Sequence, residues 1–142
     1  MSAKQGCGIL FFRKEEKAVL VFRRDDKPSI PFPNQLDILG GGVEDGETPE
    51  QAIVREMAEE LYDLRTGSPY SLKDFRLFKV YGDDWGTQQH IFYREADFDV
   101  ADLRLKEGQE LVWLRESDLR STPLAFNFEA VVQEFFAHFP VA

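Results

Sequence analysis

Gly40-Gly41-Gly42-Val43-Glu44-Asp45-Gly46-Glu47-Thr48-Pro49-Glu50-Gln51, continuing as Ala52-Ile53-Val54-Arg55-Glu56-Met57-Ala58-Glu59-Glu60-Leu61, is the stretch on which the reading of this 142-residue chain turns. Three consecutive glycines predict a break in regular structure. A helix then opens with unusually complete signals. Thr48 can cap the amide three residues on, Pro49 suits the first helical position, and Gln51 completes a capping box. Ile53, Val54, Met57 and Leu61 recur at helical spacing, which predicts a buried stripe on a helix from residue 49 to about residue 62.

Glu56, Glu59 and Glu60 stand three and four residues apart, so at about 100° per residue they project side by side next to that stripe. Carboxylates so placed repel one another, and in the second half of a helix they also face the negative end of its dipole. Arg55 offsets only part of this charge, and the helix contains no lysine. Taken alone, such a cluster also reads as the solvated face of an amphipathic helix. If positive charge must come from elsewhere, a hard divalent cation is the natural source. Mg²⁺, with Mn²⁺ as a substitute, prefers oxygen ligands and often takes one or two carboxylates plus phosphates.

On either side, apolar runs and turn residues divide the chain into short segments with no long linker and no repeat. Residues 8–13 and 17–24 read as a hairpin across Lys14-Glu15-Glu16. Residues 25–34 carry Pro28, Pro31 and Pro33 and read as a surface loop before a short strand at residues 36–39. Further strands are expected at residues 75–81, 88–94 and 110–114, with Gly82-Asp83-Asp84 as a turn. From Phe128 onward, Val131, Val132, Phe135, Phe136 and Phe139 fall on one helical stripe. The expected fold class is α/β (α+β), a mixed β-sheet sandwiched between helices in an α/β/α arrangement.

Gly41 is followed six positions on by Glu47, eight further by Arg55, and then directly by Glu56-Met57-Ala58-Glu59-Glu60-Leu61. In order and spacing this resembles the signature of the Nudix hydrolase family. That signature runs glycine, five residues, Glu, seven residues, Arg-Glu, an aliphatic residue, any residue, Glu-Glu, any residue, glycine and an aliphatic residue. The late glycine falls on Tyr62 and the last aliphatic position on Asp63. A glycine there would end the helix in a left-handed cap, so Tyr62 implies a longer helix or a differently shaped exit.

The resemblance implies a single domain over residues 1–142 and water attack on a diphosphate joined to another moiety. It points to a small-molecule nucleoside diphosphate derivative, such as an NTP, a dNTP or a nucleotide sugar. It also implies Mg²⁺ held by Glu56, Glu59, Glu60 and the backbone carbonyl of Gly40, with Glu56 as a base and Arg55 orienting the carboxylates. Glu47 would pair with Arg55 or reach the metal through water. Lys106-Glu107-Gly108-Gln109 resembles a later loop of the family, which makes Glu107 a metal ligand or the base, with Glu110 as the alternative occupant. Arg23 and Arg24 end the second strand, where a guanidinium pairs with phosphate, stacks on a base, or simply faces solvent. Asn127, with Phe32, Tyr81, Trp85 and Phe126, lies where such enzymes place the second moiety; a cap on the final helix is its other reading. A non-catalytic nucleotide-binding or regulatory Nudix module is the alternative function. An isomerase of the isopentenyl diphosphate type ranks last, since Cys7 in the first strand is poorly placed for that chemistry.

Lys plus Arg number 17 against 26 Asp plus Glu, a net charge of −9. That sign is wrong for a nucleic-acid polymer or an anionic membrane. The lone Cys7 forms no intrachain disulfide and fits a reducing, cytoplasmic setting. Apolar runs at residues 9–12 and 18–22 fall far short of the ~20 residues needed to cross a bilayer. His90 and His138 lack partners at metal-ligand spacing and read as structural. Monomer and homodimer are both open.

Overall fold

The computed structural model describes residues 4–138, and its first three strands already depart from a simple hairpin. β1 (Lys4–Arg13) and β2 (Ala18–Arg23) pair only at Phe12↔Val19 and Arg13↔Ala18. Beyond that tip, β3 (Leu36–Gly42) slots between them. It pairs Leu39 to Gly42 with Ile9 back to Gly6 on one side, and Leu36 to Ile38 with Arg23 back to Val21 on the other. Local turn chemistry sets the hairpin tip, whereas burial of the Leu36-Asp37-Ile38-Leu39 strand on both faces decides what lies between the arms.

The remaining elements are α1 (Pro49–Glu60), β4 (Leu61–Asp63), β5 (Ser68–Pro69), β6 (Arg76–Gly82), β7 (Thr87–Glu95), β8 (Leu103–Leu105), β9 (Glu110–Arg115) and α2 (Glu129–Phe136), with short 3-10 turns preceding β8 and α2. The main sheet runs β6-β7-β1-β3-β2-β9, parallel only where β1 meets β7, and a small second sheet runs β5-β4-β8. β1 alternates cleanly: Ile9 and Phe11 face α1 with Leu20, Leu39, Ile53, Met57 and Phe92, while Leu10 and Phe12 face α2 with Val19, Val21, Ile38, Val132 and Phe135. At about 1.5–3 kcal/mol for each such side chain withdrawn from water, these two layers dominate the folding free energy. The expected mixed sheet between helices is thus realised.

Several local expectations need correction. Gly40, Gly41 and Gly42 stay within β3 and remain paired to Gly8, Cys7 and Gly6. Val54 is 37% exposed, and Ala52 completes the buried stripe in its place, because α1 meets the sheet along the line of Ala52, Ile53 and Met57. The capping box of Thr48 and Gln51 is present, but the helix ends at Glu60. Leu61 turns extended, and Tyr62 pairs with Pro69 and Arg104 in the small sheet. Tyr62 therefore marks a strand exit and not a longer helix. Strands of two or three residues carry too little periodicity to be read from sequence, which is why the small sheet went unanticipated. Asn127 does not cap α2; Phe128 holds that position without a side-chain bond, and Asn127 donates instead to Asp84. Phe139 lies outside the described residues. Among them, no helix is long and apolar enough to cross a membrane.

Candidate active site

Two of the three glycines permit a close approach, Gly40 to the backbone of β1 and Gly41 to α1. A side chain on Gly40 would bring its Cβ to 2.0 Å from the Cys7 carbonyl oxygen, and one on Gly41 would sit 2.4 Å from the Glu56 carboxyl carbon. The stretch that reads as a break is in fact a close approach, and it lets the Glu56 carboxylate lie directly on the strand backbone. Where this edge of β3 meets the loop leading to α1, a cleft of about 910 Å³ opens.

Arg55 ties the cleft's rim together. Its guanidinium donates to both oxygens of Glu47 at 2.8 and 3.0 Å, to Glu56 at 3.0 Å, to Glu59 at 3.2 Å and to the Gly42 carbonyl at 2.9 Å. One cation thus joins the loop, the strand and the helix, in the bidentate geometry that lysine cannot supply. The hydrogen bonds from Arg55 hold the Glu47 carboxyl down to about 2, and the same partners push Arg55 above its ordinary value.

Glu60 behaves differently. Burial, followed by the charge of Glu56, pushes its carboxyl up to about 9; a backbone hydrogen bond from Gly40 lowers it only in part. Its Oε2 is buried and accepts no hydrogen bond. Glu56 is also raised, chiefly by burial and against the pull of Arg55. Burial and the neighbouring charge of Glu56 both favour the neutral form of Glu60, which eases the crowding of glutamates beside an apolar layer in a helix without a lysine. Glu107 sits in the turn between β8 and β9, lines the cleft, and adds to the negative potential at both Glu56 and Glu60.

Of the two arginines, Arg24 lines the cleft and Arg23 does not. Arg23 donates to Glu110 at 2.9 Å and to the Asn34 carbonyl, so Glu110 is engaged in an ion pair on the strand and Glu107 alone of the two faces the cleft. Arg24 donates to Asp37 at 2.8 Å and to the Pro31 carbonyl at 3.0 Å, and its guanidinium lies 5.4 Å from the Phe126 ring centroid. Asp37 was not anticipated. It is 5% exposed, and burial raises its carboxyl to about 6 despite Arg24. A lone acid inside Leu36-Asp37-Ile38-Leu39 was the available signal. Phe32, Trp85 and Phe126 form a three-ring cluster with centroids 4.7 to 5.8 Å apart, at edge-to-face angles. Trp85 and Phe126 line the cleft, whereas Tyr81 and Asn127 do not. Cys7 lines it too, but burial pushes its thiol up to about 12, which removes it as a nucleophile.

The expected residues thus gather in two groups. Glu47, Arg55, Glu56 and Glu59 form one ion-pair network, and Gly40, Glu60, Glu107 and Arg24 share the cleft. Among the described residues no three His, Cys, Asp or Glu side chains converge as a ready-made metal cage; Arg55 engages Glu56 and Glu59 instead. The donor chemistry nonetheless suits a hard divalent cation, since the acceptors are all oxygens and one carboxylate oxygen of Glu60 is buried without a partner.

The NUDIX domain model matches residues 3–139. Nucleoside triphosphatase NudI of Escherichia fergusonii is 35% identical over 114 residues, covering 75% of this chain and 79% of that protein. The protein of the same name from Enterobacter sp. (strain 638) is 32% identical over 101 residues, covering 66% and 70%. A MutT structure from work on the Aliivibrio salmonicida and Vibrio cholerae proteins superposes with a TM-score of 0.73 at 23% identity, covering 96% of this chain and 98% of that one. The NUDIX domain of Shewanella oneidensis NrtR, complexed with ADP ribose, gives 0.65 at 17% identity, covering 98% and 87%. At these identities the solved structures establish likeness of fold alone.

Proposed function

This chain belongs to the Nudix hydrolase family of pyrophosphohydrolases, and we propose that it hydrolyses nucleoside triphosphates, ribo or deoxy, with Mg²⁺ as the natural cation and Mn²⁺ as a substitute. The observation that carries this reading is Glu60: a carboxyl buried in an acid-lined cleft, raised to about 9, with one oxygen unpartnered. Such a group is costly unless something doubly charged is meant to bind beside it.

In this reading Glu56, Glu59, Glu60 and the Gly40 carbonyl hold the cation, which when bound neutralises phosphate charge and lowers the pKa of a water. Arg55, fixed by both oxygens of Glu47, keeps the carboxylates of Glu56 and Glu59 in register. Glu56 and Glu107 are the two acids placed to take a proton from water; the raised value of Glu56 suits it to that work. Arg24 meets the negative or aromatic part of the nucleotide from the cleft wall. The net charge of −9 favours a small Mg²⁺-complexed nucleotide over a nucleic-acid polymer or an anionic membrane surface. One domain, residues 1–142, carries the reaction in a cytoplasmic setting, as a monomer or homodimer.

The test is phosphate and pyrophosphate release from a panel of NTPs, dNTPs and nucleotide sugars with Mg²⁺, repeated with Glu59→Gln and Glu60→Gln. Turnover of triphosphates that both variants abolish is the expected result. Nucleotide binding without turnover would move the chain to the alternative, a non-catalytic regulatory module.

A further inference from the structure

The turn between β6 and β7 does more than connect strands. Asp83 Oδ1 accepts the backbone N–H groups of Trp85 and Thr87, each at 2.9 Å, and its Oδ2 accepts from Gln89 Nε2 at 3.1 Å. Burial alone would raise this carboxyl, but the hydrogen bonds from Thr87, Gln89 and Trp85 outweigh it and hold the group below its ordinary value. Asp83 is therefore an ionised, acceptor-only group. That settles a choice a side-chain amide otherwise leaves open, because Gln89 must turn its NH₂ toward Asp83 and its carbonyl away from it.

The carbonyl so directed lies over Gly6, where any Cβ would stand 2.5 Å from Gln89 Oε1. Gly6, Thr87, Trp85 and Gln89 all line the cleft, and Phe126 lies across from them against Trp85, with ring centroids 5.4 Å apart. Among the described residues Oε1 accepts no hydrogen bond. A bare strand, an oriented acceptor and an aromatic wall thus meet on the α2 side of the cleft, whereas the glutamates lie on the α1 side.

We propose that Gln89 is a specificity-determining residue that reads the base of the bound nucleotide, Oε1 accepting a hydrogen bond from an N–H at the base edge, and that Asp83 is the positioning residue that sets this polarity. The inference rests on the nucleotide-hydrolase reading and names a feature of its substrate: a base that presents a donor where Gln89 waits. A base presenting a carbonyl there would set two acceptors against each other, a mismatch that costs about tenfold or more.

The experiment measures kcat/KM for dCTP against dUTP and for dATP against dITP, pairs in which the exocyclic amino group becomes a carbonyl and the neighbouring ring nitrogen gains a proton, so that donor and acceptor exchange places along the base edge. The wild-type protein is expected to separate at least one pair by about tenfold. Gln89→Met should collapse that ratio to within about threefold, chiefly by raising KM for the favoured base. Asp83→Asn is the sharper variant. Its remaining oxygen can keep the Trp85 and Thr87 N–H groups, and the new amide nitrogen replaces Oδ2, so Gln89 must rotate and present its NH₂ to the base. The preference within the pair should then invert. No separation in the wild type, or a ratio that neither variant changes, overturns the inference. Should no nucleotide be turned over by any of the proteins, the hydrolase reading fails separately. Tryptophan-fluorescence titration with the same four nucleotides then decides the question, equal affinities counting against Gln89 and a separation that Gln89→Met removes counting for it.

Discussion

The two ends of the main sheet are both acidic, yet they differ in what the acids do. At the end away from the glycines a hollow of about 670 Å³ is lined by Arg13, Lys14, Glu15, Glu16, Glu95, Asp97, Asp99 and Asp102. There Arg13 pairs with Asp99 at 2.8 Å, Lys14 with Glu95 at 4.0 Å, and Arg94 with Asp97 at 3.2 Å. Asp99 and Glu95 remain 80% and 56% exposed, so water screens both ion pairs. At the glycine end Glu60 is withdrawn from water, Glu107 faces the same cleft, Arg55 is committed to Glu47, Glu56 and Glu59, and Arg24 to Asp37. The number of acids is therefore not the signal of a site. What distinguishes the cleft is a carboxyl desolvated without a cation to match it.

Substitutions at the two ends put that contrast to the test. Glu59→Gln and Glu60→Gln are each expected to lower kcat/KM with Mg²⁺ by at least about 100-fold, whereas Asp99→Asn should stay within about twofold. An equal loss at both ends, measured in one steady-state assay, would erase the distinction. Gly40→Ala is next: with its Cβ 2.0 Å from the Cys7 carbonyl, it should cost about 2–4 kcal/mol of stability in urea unfolding. Gly41→Ala meets the Glu56 carboxylate instead and should cost activity more than stability, since a side chain can move where backbone cannot.

A pH scan separates the ends without activity. The Glu60 carboxyl lies at about 9 in the fold against an ordinary 4.5, so the native state holds the extra proton. Its contribution is fully present below about 4.5 and is lost as pH rises toward 9 in the metal-free protein. Asp37, raised from 3.8 to about 6, acts in the same direction over a narrower window. Glu47, lowered to about 2, acts oppositely and loses its contribution as pH falls from 4.5 toward 2. Glu60→Gln should therefore raise the metal-free Tm at pH 8 by several degrees and leave it unchanged near pH 4, read by differential scanning calorimetry. Such a variant would be more stable and less active. The smallest effect belongs to the far end, where Arg13→Ala removes an exposed ion pair and a cation stacked 4.2 Å over Trp113, worth about 1 kcal/mol or less.

Much of the architecture was legible because it follows from local periodicity. The capping box, the α1 stripe apart from Val54, the long strands and α2 each announce themselves within a dozen residues. The interposition of β3 between β1 and β2, and the strand that begins at Leu61, did not, because they depend on which distant segment buries more surface. The candidate site divides in the same way. Glu47, Arg55, Glu56, Glu59 and Glu60 are marked by their match to the family signature, while Asp37, Gln89 and Asp83 carry no such signal, and Arg23 and Arg24 are adjacent in sequence with opposite outcomes.

From the order of residues alone came the family, the sandwich of helices on a mixed sheet, and the identity of the acids along one helix, since these depend on interactions within a few turns of chain. Only the packed structure decided which acid is withdrawn from water, which arginine reaches the cleft, and which way the Gln89 amide points. Those outcomes depend on desolvation and on partners up to dozens of residues away, and neither exists until the sheet has closed around them.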